Sequence, residues 1–210
     1  MSAAEINYHI TQTYAREALD YYVEAPWVVD GLLTKESFVG TIYDPACGSG
    51  NIPRQAMSHG WRVSYSDIVD RGYPGTVVHD FLGDRRPPFR VDNIVTNPPF
   101  KHAEDFVRRG MQIATHKVAL LLRLEFLATV RRHDLFTREH RPRRVIVLSR
   151  RPSMPPGEKL FAKNMTHETI RATNGRVEYC WIIWAHGHRG ETSITWVNPQ
   201  DDKNRSNSRR

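Results

Sequence analysis

Apolar residues along the chain gather into short runs, and each run ends abruptly in a polar residue or a turn cluster. The runs at 38–43, 62–66, 76–79, 93–96, 118–124 and 143–149 have strand length and predict six strands. Between several of them the spacing changes to that of one helical face. Residues 51–58 predict a helix, 103–114 predict a second with Phe106, Val107, Met111 and Ile113 on or near its buried side, and 126–136 predict a third. Upstream, 11–22 predicts an N-terminal helix, and Pro26 opens another over "PWVVDGLL", since proline suits a first helical position. Beyond the sixth strand, 150–176 reads as loop, and "VEYCWIIWAHG" with "TSITWV" predicts a closing antiparallel hairpin. This succession predicts an α/β fold: a Rossmann-like sheet, mostly parallel, with a C-terminal antiparallel hairpin and helices on both faces. A chain of 210 residues suits one domain, expected over 1–199, and the polar stretch 200–210 is expected to be a disordered tail.

In an open sheet of this kind ligands bind beyond the carboxyl ends of the strands, so the residues that end the strands matter most. Here they are Asp44, Asp67, Asp80 and Asn97. An aspartate at a strand end is commonly a turn former; the ordered set, facing one crevice, carries the weight. The first strand runs into "DPACGSG", 44–50. Gly48 and Gly50 fit the first two positions of the dinucleotide fingerprint, but Pro53 stands at the third. Asp44 also sets a carboxylate where a pyrophosphate would lie. An acidic strand end beside open glycines suits a positively charged ligand, such as the sulfonium and ammonium of S-adenosylmethionine; an ordinary turn after a buried strand is the plainer alternative. Asp67 follows Asp44 by about twenty positions, the spacing at which an acid meets ribose hydroxyls. Asp80 and Phe81 come next along the sheet and suit an adenine, one receiving its amino group and the other covering the ring.

The sharpest feature is "TNPPF", 96–100. Prolines lack N–H donors, so Asn97 and Pro98 present carbonyl oxygens with few competing donors. Phe100 adds a stacking surface. The set suits a planar exocyclic amine, its two N–H groups taken by the Asn97 side-chain oxygen and the Pro98 backbone oxygen. Such an amine is a weak nucleophile, and two acceptors that draw its hydrogens out of plane restore lone-pair character. Asn97 cannot act as a general base, and none is required before transfer of a methyl group, because the extra proton becomes acidic only afterwards.

"DPACGSG" followed by "NPPF" resembles the amino-group class of S-adenosylmethionine-dependent methyltransferases, above all the N6-adenine DNA methyltransferases, over about 21–196. The resemblance implies that Asp44, Pro45, Ala46, Cys47, Gly48 and Gly50 hold the methionine part of the cofactor. It implies that Asp67 and Ile68 hold the ribose and that Asp80 and Phe81 hold the adenine. Asn97, Pro98, Pro99 and Phe100 would form the catalytic loop. "YYVEAPWVVDGLL" resembles the helix segment that closes over the cofactor, marked by Pro26; the family often has Thr before that proline, where this chain has Ala25. Sequence-specific members carry an added target-recognition domain. The roughly fifty residues between the two motifs leave no room for one, so the chain resembles small phage- or prophage-type members and is expected to show weak target preference.

Composition adjusts this reading only slightly. Thirty Lys and Arg against 23 Asp and Glu leave a net charge of +7, with arginines crowded in 131–151. That cluster suggests a polyanion, with Arg143, Arg144 and Arg151 as its candidate contacts, and favours nucleic acid over protein; a solvated basic face is the plainer reading. DNA is preferred over RNA as the target, RNA adenine and protein glutamine methylation being the alternatives, together with a degenerate methyltransferase kept as a DNA-binding module. Two cysteines, one inside the glycine turn, imply a reducing compartment, and a cytoplasmic location in a bacterial or phage-infected cell is expected. No apolar run approaches a membrane span, so no membrane partner is expected. His186 and His188 read as a hairpin turn rather than a metal site, so no metal is expected. Trp181, Trp184 and Trp196 read as core packing, and Arg123 and Glu125 as a surface ion pair near the possible target pocket.

Overall fold

The computed structural model describes residues 21–155, 157 and 175–198. Strands β1 (Ile42–Asp44), β2 (Val63–Asp67), β3 (Val77–Val78), β4 (Asn93–Thr96), β5 (Lys117–Arg123), β6 (Arg144–Leu148), β7 (Tyr179–Ala185) and β8 (Ser193–Val197) join in one sheet of order β3-β2-β1-β4-β5-β7-β6-β8. Five of its pairings are parallel, and β7 runs antiparallel to both of its neighbours. The middle of the sheet is covered on both faces, which is why β5 and β7 read as almost unbroken apolar runs. Their side chains divide by the strand period of two. Ala119, Leu121, Trp181 and Ile183 pack on one side with helices α1 (Pro26–Lys35) and α2 (Asn51–Ser58). Leu120, Leu122, Ile182 and Trp184 pack on the other with helix α3 (Ala103–Ile113).

The Rossmann-like fold expected from the pattern is present, with local differences. The antiparallel part arises because β7 enters between β5 and β6, while β8 lies beside β6 in parallel rather than beside β7. The first strand starts at Ile42, because Gly40 turns with φ of 81° past the Asp92 side chain. The helix expected over 126–136 is absent. In its place stand short 3₁₀ turns at Leu124–Leu127 and Val130–Arg132 and a π turn at Leu135–Glu139. Phe126 and Leu135, the buried anchors of this stretch, would fall on opposite faces of a single helix, and Val130 between them is exposed. Trp181 and Trp184 are core residues, with indole N–H bonds to the Val28 and His140 carbonyls. Trp196 is 60% exposed, on the outer strand β8. Of the helix expected over 11–22, only Tyr21 and Tyr22 are described, and they are not helical. The tail 200–210 and most of the loop 150–176 lie outside the described residues. Among the described residues no helix is long and apolar enough to cross a membrane.

Candidate functional site

Strands β1, β2 and β4 are mutually parallel or linked through β1, so their carboxyl ends fall on one side of the sheet. A cavity of about 770 Å³ opens there. Its wall includes Pro45, Ala46, Cys47, Asp67, Ile68, Asp80, Phe81, Asn97 and Pro99, so nine of the fifteen residues expected to hold the cofactor or form the catalytic loop meet around one space. Asp44 lies beneath this floor and is 1% exposed. One of its oxygens accepts the Ala46 N–H at 3.2 Å, and the other, Oδ2, has no hydrogen-bond partner. Burial pushes its carboxyl well above the usual range; the nearby Thr96 hydroxyl and the Ala46 N–H oppose that, and the neighbouring Glu24 and Asp67 charges add to it.

The glycine turn is shaped by backbone demands. Gly48 and Gly50 have φ of 52° and 82°, in the left-handed region that side chains disfavour. A Cβ on Gly48 would meet the Tyr21 ring, and one on Gly50 the Tyr73 ring. Neither glycine forms part of the cavity wall. The N–H groups of this turn are also engaged: Gly48 N–H donates to Asp67 Oδ2 at 2.9 Å and Ser49 N–H to the Tyr21 hydroxyl at 2.7 Å. Cys47 is buried and its thiol is pushed up to about 12, by burial first and then by the Asp44 charge, so it stays protonated and inert.

Asp67 is buried and accepts from Gly48 N–H and from Val69 N–H at 3.1 Å, with Arg71 Nε 3.7 Å away. A carboxylate has about four lone-pair sites, so room remains for a hydroxyl donor. Arg71 also lies over the Tyr21 ring at 4.3 Å, and both residues line the cavity. Further along the wall, exposed Asp80 caps its own turn through Leu82 N–H at 3.0 Å. Phe81 is buried against Phe106 at 4.8 Å between ring centres, and Phe106 is itself on the wall.

Asn97 follows β4, where Pro98 and Pro99 leave no following N–H to compete for its groups. Its Nδ2 donates to the Tyr22 carbonyl at 2.9 Å and to Glu24 Oε2 at 3.0 Å. Its Oδ1 is buried and has no partner. Glu24 is 6% exposed, and burial raises its carboxyl above the usual range against the pull of its hydrogen bonds, including those from Asn97 and the Ile52 N–H. Pro26 starts α1 and does not reach the cavity wall; Glu24, two positions earlier, does. Phe100 is set back as well. Its ring stacks on Tyr22 at 5.7 Å, with the Arg123 guanidinium over it at 4.9 Å. Arg123 and Glu125, an ion pair at 3.4 Å, line a second cavity of about 310 Å³ with Val177 and Glu178.

The basic cluster separates in space. Arg143 and Arg144 sit at the start of β6, the end of the sheet away from the cavity, and are bound to the buried Glu36 at 2.6 and 3.1 Å. These pairs tie both side chains to Glu36 at the end of the sheet opposite the cavity. Arg151 lies past the other end of β6, on the cavity side, paired with Glu178 at 2.5 Å. Glu24, Tyr21, Tyr22, Arg71 and Phe106 are cavity residues that the sequence reading did not select. For Glu24 the signal was present: an acid beside the proline-marked helix that was expected to close over a ligand.

The sequence matches no protein-family model and no curated protein. Solved structures do share its architecture. A Listeria monocytogenes protein described as a class I S-adenosylmethionine-dependent methyltransferase superposes with a TM-score of 0.50 and 15% identity, covering 82% of this chain and 62% of its own. The fold is that of the class I methyltransferases. A Vibrio vulnificus protein described as a modification subunit of a type I restriction enzyme gives 0.55 and 14%, covering 100% of this chain and 59% of its own. A dimethyladenosine transferase from Plasmodium falciparum gives 0.51 and 16%, covering 78% and 62%. The chain therefore spans about three fifths of each of these three proteins.

Proposed function

We propose that this chain transfers a methyl group from S-adenosylmethionine to the N6 amino group of adenine in DNA. The observation that carries the reading is the Asn97 amide: its oxygen is buried at the cavity wall without a partner, while its nitrogen is committed to two acceptors. An orphaned carbonyl oxygen costs about 1–3 kcal/mol, and its persistence at a cavity wall fits an acceptor kept open for an incoming N–H. The dimethyladenosine transferase among the structural neighbours supports adenine as the acceptor, and the restriction-modification subunit favours DNA.

The cavity suits the cofactor. Glu24 and Asp67 set two acids on the cavity wall, and the buried Asp44 precedes the wall residues Pro45 and Ala46 in the chain, an acidic surrounding that suits a cation bearing hydroxyls. Phe81 and Phe106 supply apolar surface for an adenine. Bound there, the cofactor would supply a methyl group made electrophilic by its sulfonium. Asn97 Oδ1 and the Pro98 carbonyl would accept the two N–H groups of the target amine and hold its lone pair toward the methyl. Positioning then supplies much of the rate. The proton is lost after transfer, without a side-chain base. Because Tyr22 and Arg123 flank the Phe100 ring, a base that stacks there displaces one of them. A paired adenine must leave the duplex to reach this depth.

The test is incubation with labelled S-adenosylmethionine and separate DNA, RNA and protein acceptors, followed by digestion of the labelled product. N6-methyldeoxyadenosine is expected. Asn97→Ala should lower turnover at least about 100-fold with cofactor affinity nearly unchanged. Label confined to RNA or to protein glutamine moves the substrate class; no label in any acceptor, or full turnover by Asn97→Ala, overturns the reading.

A further inference from the structure

We propose that Glu24 is the positioning residue of this site: its carboxylate holds the Asn97 amide in the one orientation that turns the side-chain oxygen toward the target. The proposal rests on the role given above to Asn97. A primary amide can sit in either of two orientations that differ by exchanging oxygen and nitrogen, and surrounding partners decide between them. Here both partners on one side are acceptors. The Tyr22 carbonyl lies 2.9 Å from Nδ2 and Glu24 Oε2 lies 3.0 Å from it. An exchanged amide would face two acceptors with its oxygen and would present N–H donors to the cavity, where a target amine also brings donors. The wrong orientation is thus repelled on one side and useless on the other.

The Glu24 side chain is built in for this task. It is 6% exposed, and the Ile52 N–H is among the groups that stabilise its charge. Its backbone carbonyl accepts Asn51 Nδ2 at 2.7 Å, which ties the segment to the first turn of α2. Of the two acceptors on Asn97, the Tyr22 carbonyl belongs to the backbone, so Glu24 is the half of the lock set by residue type. Burial of a carboxylate beside Asp44 is unfavourable for folding, and the hydrogen bond it accepts from Asn97 accounts for its presence at the wall better than packing does.

The experiment compares Glu24→Gln and Glu24→Ala with the unaltered full chain, each first checked for cooperative thermal unfolding. Turnover is measured at saturating cofactor and DNA, and hydrogen exchange of the Asn97 side-chain NH₂ is followed by ¹⁵N NMR without substrate, the resonance pair being identified by its loss in Asn97→Ser. For Glu24→Ala we expect kcat to fall about 10- to 100-fold and the NH₂ protons to exchange at least about 10-fold faster. Glu24→Gln keeps one acceptor oxygen and should fall between the two in both measurements. A loss of Glu24→Ala that appears only in cofactor KM, with kcat unchanged and exchange unaltered, overturns the proposal. So does a Glu24→Gln variant as impaired as Glu24→Ala in both readouts. If the unaltered chain methylates no acceptor, the proposed function fails while the exchange comparison still decides whether Glu24 orients Asn97.

Discussion

Buried acids stand at both ends of this sheet and are treated in opposite ways. At the amino ends of the strands, Asp92 accepts from Thr41 N–H, the Thr41 hydroxyl, Arg90 and Thr115. Glu36 at the same end draws Lys117 and Arg143 to one oxygen at 2.6 Å each. At the carboxyl ends, Asp44 keeps an oxygen without a partner, and Asn97 likewise. The Thr41 N–H and the Arg90 side chain hold the Asp92 carboxyl far below the usual range, whereas burial holds Asp44 far above it. At the amino end Arg90, Lys117, Arg143 and Arg144 hold the acids as ion pairs, although Asn93 Oδ1 there also lacks a hydrogen-bond partner, whereas at the carboxyl end Asp44 Oδ2 and Asn97 Oδ1 lack one. That contrast separates folding from function more sharply than burial does, since Asp92 and Asp44 are both almost fully enclosed.

The largest effect should come from breaking the satisfied end. Glu36→Ala leaves Lys117, Arg143 and Arg144 facing one another without their acid, and removal of one partner from a buried ion pair costs about 3–5 kcal/mol. Urea unfolding should register that loss, with cofactor affinity of the folded fraction unchanged. Equal stability would show that the cluster is only a surface network.

The open end should answer in the reverse sense. Asp44→Asn exchanges a buried carboxyl whose Oδ2 has no protein partner for a neutral amide, so stability without ligand should hold or rise by about 1 kcal/mol. Affinity for S-adenosylmethionine should fall about 10- to 100-fold by calorimetry, the range for loss of a charged partner. A variant that loses stability and keeps affinity would invert the contrast between the two ends.

Proton linkage sharpens the same comparison. Asp44 and Glu24 have folded-state values above the unfolded ones, so the folded chain keeps protons that the unfolded chain has released. Stability of the ligand-free protein should therefore decline as pH rises from the ordinary carboxylate range through the raised values. Asp92 works in the other direction: its contribution is present above the ordinary carboxylate pKa and is lost as pH falls below it toward its lowered value. Affinity for a cationic cofactor should rise with pH across the upper window and then level off. Calorimetry over a pH series checks this, and an affinity independent of pH in both the unaltered chain and Asp44→Asn would contradict the charge pairing.

What the sequence disclosed follows from what each feature depends on. The strands and the crevice were legible because β1, β2 and β4 end in Asp44, Asp67 and Asn97, and strand period and strand-end chemistry are local properties. The position of β7 was not, since insertion between β5 and β6 depends on sheet edges that no local pattern encodes. "FLATVRRHDLF" looked helical by composition, yet its anchors Phe126 and Leu135 pack as separate turns. Glu24 stands beside the proline that marks α1, but its place in the site rests on a contact with Asn97, far along the chain. Arg143, Arg144 and Arg151 read as one basic patch, and only the length of β6 shows that they lie at opposite ends of the sheet.

That separation gives the smallest effect and the finest division between the two ends. Neutralising a phosphate contact lowers the slope of log affinity against log salt by about 0.9 for duplex DNA, whereas a residue that binds no phosphate leaves the slope alone. Arg151 is on the cavity side, 57% exposed, and paired with the half-exposed Glu178, a pairing that a phosphate can replace. Arg151→Gln should therefore flatten the salt slope by about one unit while stability stays within about 0.5 kcal/mol. Arg143 is committed to buried Glu36 at the far end, so Arg143→Gln should reduce stability and leave the slope unchanged. Fluorescence anisotropy with a labelled duplex over a salt series, beside urea unfolding of the same two variants, resolves the four outcomes. A slope altered by Arg143→Gln and not by Arg151→Gln would move the nucleic-acid contact to the end of the sheet that the structure devotes to folding.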